Sequence, residues 1–519
     1  MVLRRFDYAG KTTFESYAQR DIASIASTVG GRASVFEPLG RISELRLDSE
    51  LGGLITRFDY LSSFQRSVTD PRNLVTTSTF FALDEPGEDA VMNVAAPLGV
   101  NVAFARDVFG KTTAITRSGA GKSATRSYVY NANEQLCKTI EPETGATVQT
   151  YDLADNVSWR ASGLSLPSTT SCDDTSVAGA AKVTFGYDVL NRLRSTTYGD
   201  GSAAINRSYT IDGLPETVTS NGSVWTNAYN NRRLNLRESL AYGGATYNVD
   251  RAYDANGALR LLTYPDMTSI DFAPNALGEP TRAGAYATGV TYHPNGSIAS
   301  FTYGNGISHV MTPNTRGLPG VSRDAGVMND SYTYDENANV KSIADLQDAI
   351  STRAMTYDDL DRLTVTASAA TFGTVTNSYD TLDNLTGVTV TQGPTARSTT
   401  HNFNPATNRL TSISSATGAY NLAYGYDSLG NITTRGSRGF VFDQGNRMKS
   451  ALGTATYGYD GLGHRVSTVG LDGVNRVSVY TQGGQLLYLR STSVPLATGT
   501  KYIYLGRHQV AEVKAAGAN

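Results

Sequence analysis

Apolar and polar residues alternate along this chain in short runs. Arg362-Leu363-Thr364-Val365-Thr366 and Leu385-Thr386-Gly387-Val388-Thr389-Val390-Thr391 are two of them. A period of two is the signature of a strand with one buried face. The runs end at an aromatic residue, pass through turn-forming residues and restart at an aliphatic. This pattern predicts antiparallel hairpins. One stretch departs from it: Ala18 to Val29 reads as a short helix stopped by Gly30-Gly31.

The connections repeat. Tyr-Asp pairs occur eight times, at Tyr151-Asp152, Tyr187-Asp188, Tyr253-Asp254, Tyr334-Asp335, Tyr357-Asp358, Tyr379-Asp380, Tyr426-Asp427 and Tyr459-Asp460. With 30 Tyr and 47 acidic residues in 519, random order gives fewer than about 3. The residues after each pair also agree. Tyr187-Asp188-Val189-Leu190-Asn191-Arg192-Leu193 matches Tyr357-Asp358-Asp359-Leu360-Asp361-Arg362-Leu363. The template reads aromatic, Asp, two variable residues, Gly/Asn/Asp, a polar or small residue, then an aliphatic. Weaker copies start at Tyr130, Tyr209, Tyr229, Phe272, Tyr292, Met311, Phe403 and Phe442, with Tyr480 and Tyr502 as last copies. From 187 to 426 successive starts lie 19 to 24 residues apart. The longer interval from 151 to 187 holds a turn-rich insertion, Ser162 to Ser171.

The chemistry of one unit is that of a turn. Asp at the first turn position bonds its carboxylate to backbone N–H groups further on. The fifth position takes residues that tolerate positive φ, as Gly257, Gly430 and Gly463 do. Together these make a type I turn closed by a left-handed residue. The Tyr-Asp residues are therefore structural. The first 127 residues carry diverged copies, such as Arg5-Phe6-Asp7-Tyr8 and Arg57-Phe58-Asp59-Tyr60.

About 18 hairpins give ~36 strands and, at ~4.8 Å each, a sheet ~170 Å wide. Open sheets of more than ~10 strands curl or close, so the expected fold is all-β: hairpins spiralling into a hollow shell. Parallel β-helices share the period but not the hairpin turn, and a propeller needs an alternation of odd and even units that is absent.

Composition narrows function. The charge of −3 is spread evenly, with no basic run to follow a phosphate backbone, so no nucleic-acid partner is expected. No segment is apolar and long enough to be a transmembrane helix, and no signal peptide is visible. Gly119-Ala120-Gly121-Lys122-Ser123 imitates a phosphate loop but lacks the first Gly of that motif, and reads as a hairpin turn. His293, His309, His401, His464 and His508 have no ligand spacing. No catalytic, cofactor-binding or metal residues are expected. Cys137 and Cys172 are either a disulfide or two separate thiols.

These motifs resemble those of the RHS/YD-repeat family, from Tyr128 to about Lys514, with weaker matches before it. That family includes bacterial RHS proteins, cage components of Tc toxin complexes and the shells of teneurins. The resemblance implies a region of diverged repeats at 1–127, a YD-repeat shell at 128–514 and a short tail at 515–519. It also implies a non-enzymatic shell that encapsulates a polymorphic toxin, often delivered by secretion machinery. Bacterial members end in a motif around Asp-Pro-x-Gly, where the core cleaves itself. Here the only Asp-Pro is Asp70-Pro71, with Asn73 in place of Gly, which reads as a repeat turn. The chain is thus expected to be a truncated piece, incomplete by itself. Its toxin or missing core would be encoded separately. The expected location is secreted or cell-surface as part of a larger protein, or cytoplasmic before export. The alternatives are an adhesion or carbohydrate-binding module, as in teneurins, and a self-cleaving core.

Overall fold

The computed structural model describes residues 2–6, 12–16, 31–61, 64–81 and 89–514. The helix expected at 18–29, most of the first repeat copy and the tail at 515–519 lie outside these residues. Within them the secondary structure is 45 strands and a few three-residue 3-10 turns. This exceeds the ~36 strands expected from the motif count. The early region contributes long hairpins that the motif barely marks, such as Ile42–Ser49 with Gly52–Leu61.

Strand order follows chain order in both large sheets. One sheet takes the strands from Arg32–Phe36 to Ser269–Asp271, and the one from Ala287–Tyr292 to His508–Val513 holds 22 strands. Consecutive strands pair antiparallel, as Ser223–Tyr229 does with the strands on either side of it. The fold is thus an all-β array of hairpins.

By its internal contacts the chain divides into two compact units, neither of them contiguous in sequence. The first takes Met1–Ser127, Thr291–Phe301 and Ile307–Asn421. In it, one meander runs from Arg32–Phe36 to Thr112–Gly119 and a second from Ser308–Pro313 to Leu410–Ser415. The other unit takes Tyr128–Val290, Thr302–Gly306 and Leu422–Asn519. Its meanders run from Leu136–Glu141 to Ser269–Asp271 and from Leu422–Tyr426 to His508–Val513.

Alternation in the sequence becomes alternation in burial. In Ser223–Tyr229, Ser223, Trp225 and Asn227 are buried while Val224, Thr226 and Ala228 face out. Val218, Trp225, Leu240 and Tyr247 stand directly opposite one another on successive strands and are all buried. Such rows of cross-strand neighbours are the unit of stabilisation in a sheet. The second meander of the same unit contributes Val466, Val477, Val479 and Tyr488, all fully buried.

Candidate functional site

The repeated turn is the most elaborated feature of the chain, and its parts assemble in a fixed order. The carboxylate of Asp152 accepts N–H groups from Ala154 (2.8 Å) and Asn156 (3.0 Å). Asp188 takes those of Leu190 and Arg192, and Asp254 those of Asn256 and Ala258. Asp335, Asp358, Asp380 and Asp460 do the same two and four residues on. Asp427 accepts from Asn431. The left-handed position three residues after each Asp is filled by Asp155, Asn191, Gly257, Ala338, Asp361, Asp383, Gly430 and Gly463. A one-residue register shift falls at Tyr151, Tyr187, Tyr253, Tyr334, Tyr357, Tyr379, Tyr426 and Tyr459, the bulge such a turn produces.

Ala338 is the odd member, holding φ at 70° with a Cβ in place. A non-glycine residue pays about 1–2 kcal/mol in this region. Ala338→Gly is therefore expected to stabilise the protein by about 1 kcal/mol, read as a raised denaturant midpoint. An unchanged or lowered midpoint would refute the strain.

The tyrosine hydroxyls have a task that sequence reasoning did not reach. Tyr151 donates to the carbonyl of Leu136 (2.8 Å), Tyr187 to Val157 (3.0 Å) and Tyr253 to Asn235 (2.8 Å). Tyr334 donates to Pro319, Tyr357 to Val340 and Tyr379 to Leu363. In each case the acceptor is the residue that opens the return strand of the preceding hairpin. Each Tyr therefore ties its hairpin to the one before it. Burial pushes the phenols of Tyr187, Tyr253, Tyr334, Tyr357 and Tyr459 up from their ordinary range.

Two weak copies sit in a different register from the one expected. The turn assigned to Met311 is built on Pro313 and Asn314, whose side chain accepts from Arg316 and Leu318. The one assigned to Phe272 is built on Pro274 and Asn275, which accepts from Leu277 and Glu279. Both have a left-handed Gly three residues after Asn, Gly317 and Gly278. The signal was Pro-Asn-x-x-Gly, with Asn doing the work of Asp. Tyr502 lies inside the strand Thr500–Leu505 rather than at its end. The phosphate-loop lookalike is a two-residue hairpin turn, with Ala120 and Gly121 both at positive φ.

Within each unit the Tyr-Asp turns of the second meander seat on the opposite-end turns of the first. In the first unit, Arg72 donates to Asp361 (2.6 Å) and to the carbonyl of Asp358. Asp70, in the Asp-Pro turn, accepts from Asn337. Arg117 reaches Asp383 and the carbonyl of Thr381, and Lys122 reaches Asp380 (2.8 Å). In the other unit, Gln444 exchanges hydrogen bonds with Asp200, and Gly461 faces Ile205 and Val218 closely enough that an added Cβ would collide with Val218. Trp225, fully buried, donates its Nε1–H to Asp460 at 2.6 Å. Asp460 is itself fully buried. His464 Nδ1 stands 3.4 Å away, where most other repeats place Arg or Asn.

The insertion near Ser162 to Ser171 is fastened separately. Cys137 and Cys172 form a disulfide, settling the alternative left open by sequence. The neighbouring Lys138 is fully buried and donates to Asp173 and to the carbonyls of Ser168 and Ser171.

These carboxylates give stability a pH dependence with a definite sign. The backbone N–H of Arg192 holds Asp188 below the usual carboxylate range against its burial, helped by the Arg192 guanidinium. At Asp358 and Asp380 burial pushes upward but is outweighed, by Arg362 in one and by Lys122 and Asn384 in the other. A carboxyl depressed by folding stabilises above its unfolded value, about 3.9, and loses that contribution as pH falls through its lower folded value. Melting temperature is thus expected to be flat from about pH 7 to 5 and to fall steeply below about pH 4. A rise in that acid range would contradict the turn electrostatics.

No protein-family model matches the chain, and no curated protein matches it. Solved structures do. The crystal structure of TcdB2-TccC3 aligns at TM-score 0.58 and 14% identity, over 92% of this chain and 28% of that one. TcdB2-TccC3-Cdc42 aligns at 0.58 and 12%, over 96% and 29%. A Photorhabdus luminescens Tc holotoxin pore aligns at 0.57 and 14%, over 91% and 27%. At such identity the likeness is one of fold. This chain spans less than a third of the length of those chains.

Proposed function

We propose that this chain is a wall segment of an RHS/YD-repeat protein and that its role is to enclose a toxin polypeptide. The observation that carries the reading is the likeness to TcdB2-TccC3 along 92% of the chain. The repeated turn adds a physical reason. Every Asp in it accepts from backbone N–H groups, and the hydroxyls of Tyr151, Tyr187, Tyr253, Tyr334, Tyr357 and Tyr379 each donate to a neighbouring hairpin. What the repeat builds is extended, cross-tied surface, and its polar groups are spent on holding that surface together.

In this reading the chain performs no reaction of its own, and its cargo or the rest of the shell comes from a separate segment. The Cys137–Cys172 disulfide favours a working place outside the reducing cytosol. The test is co-expression with the reading frame immediately downstream. The product is expected to co-purify and to survive trypsin in the complex while being digested when alone. Digestion at equal rates, or failure to co-purify, would overturn the cargo role. Fragments accumulating on incubation of the purified chain would overturn the non-enzymatic reading.

A further inference from the structure

Beside the Cys137–Cys172 bond lies a cavity of about 360 Å3, within the ~300–1,000 Å3 usual for small-molecule sites. Both cysteines line it. They are not equally open: Cys137 is 3% exposed, whereas Cys172 is half-buried. The wall is otherwise mostly polar. It includes the amides of Asn133, Gln135 and Gln149 and the carboxylates of Asp152 and Asp174, but no lysine or arginine. The neighbouring ammonium of Lys138 is fully buried and already bound to Asp173.

The surroundings also provide for the opened bond. Cys137 Sγ lies 3.3 Å from the carbonyl oxygen of Val129, an acceptor for the proton of a free thiol. Lys138 holds the insertion independently, through Ser168, Ser171 and Asp173. Opening the bond therefore leaves neither a buried thiol without a partner nor the insertion without an anchor. Access, and which sulfur is attacked, govern exchange between a thiol and a disulfide. Here the cavity gives access, and the burial of Cys137 leaves Cys172 as the sulfur to be reached.

We propose that this cavity is a thiol-exchange site of the folded protein, which takes small thiols bearing an ammonium group and binds them covalently at Cys172. The thiolate of the incoming molecule attacks Cys172 Sγ. A new S–S bond forms there as the Cys137–Cys172 bond breaks, and the electron pair of the broken bond leaves on Cys137 Sγ. Cys137 takes up one proton, balancing the one shed by the incoming thiol, and donates it in a hydrogen bond to the Val129 carbonyl. One disulfide replaces another, so no oxidant or reductant beyond the thiol is needed. The reverse attack by Cys137 releases the thiol and restores the bond. Asp152 and Asp174 set the preference, since carboxylates at close range attract an ammonium and repel an acidic thiol.

The test follows reduction of the full folded chain by cysteamine, 2-mercaptoethanol and 3-mercaptopropionate, which are cationic, neutral and anionic. Each rate is divided by that of the same thiol on the urea-unfolded chain, which removes differences in intrinsic reactivity. On this scale cysteamine is expected to be about tenfold faster than 3-mercaptopropionate at low salt, with 2-mercaptoethanol between them. Asp174→Asn, at an exposed position, is expected to narrow that gap with the melting temperature unchanged. In a mixture of cysteamine and cystamine, acid quenching and peptide mass analysis are expected to find the adduct on Cys172. Reduction at a rate independent of thiol concentration would mean that the bond reacts only after unfolding, and would overturn the proposal. So would an adduct on Cys137 or on neither cysteine, equal scaled rates for the cationic and anionic thiols, or a gap unmoved by Asp174→Asn.

Discussion

Replacing Trp225 by Ala is expected to destabilise the protein by about 3–5 kcal/mol, the usual cost of emptying a buried aromatic site. Trp225 is fully buried, stands opposite Val218 and Leu240 on its neighbouring strands, and donates Nε1–H to a carboxylate with no exposure. Removing it empties a large volume and takes a donor from Asp460. Trp225→Phe separates the two effects. It keeps most of the ring and removes the N–H, so it is expected to cost about 1–3 kcal/mol, the penalty of an unsatisfied buried acceptor. Chemical denaturation of both variants is the measurement. Equal losses would show that the hydrogen bond accounts for the whole effect; a Phe variant as stable as wild type would show that volume alone matters and the hydrogen bond contributes nothing.

Loss of the Cys137–Cys172 bond is expected to be of similar size. The two residues are 35 apart in sequence, and closing a loop of that length restricts the unfolded chain by about 4 kcal/mol. The double substitution Cys137→Ser, Cys172→Ser should lower the melting temperature in oxidising buffer. A reductant should lower that of the wild type and leave the variant unmoved. Lys138 continues to hold the carbonyls of Ser168 and Ser171 and the carboxylate of Asp173 when the bond is open. The reduced insertion is therefore expected to remain docked, with little change in the far-ultraviolet spectrum. A wild type indifferent to reductant would show that the bond adds no constraint.

Much of the local structure was legible because its causes are local. A period of two along residues 385–391 depends only on which side of a strand faces inward, and the strand Leu385–Val390 follows from it. The turn of Asp358 and Asp361 is closed by backbone N–H groups within four residues of Asp358. The misplaced registers at Met311 and Phe272 have the same local origin. An aromatic marks most of these turns, but the turn itself needs only a side-chain acceptor and a residue that accepts positive φ. Asn314 with Gly317 and Asn275 with Gly278 provide both. The undercounted early strands reflect hairpins whose turns lack the motif.

The sequence by itself determined the class of structure: strand, turn, strand, with Asp and Gly placing each reversal and alternation choosing the inner face. Those choices are made by steric and hydrogen-bonding demands that reach only a few residues. Only the tertiary structure decided which turns are buried and which are bare. Ser428, Gln444 and Gly461 obey the same template as Leu153, Val189 and Ile211, yet Gly461 is packed against Val218 while Ile211 stands fully exposed. It also decided that Trp225 would find Asp460, 235 residues away, and that Cys137 would meet Cys172. The reason is that a meander's curvature accumulates from the small twist between neighbouring strands. Where its far end lands is a sum over many such rotations, and no motif in a single hairpin carries that sum.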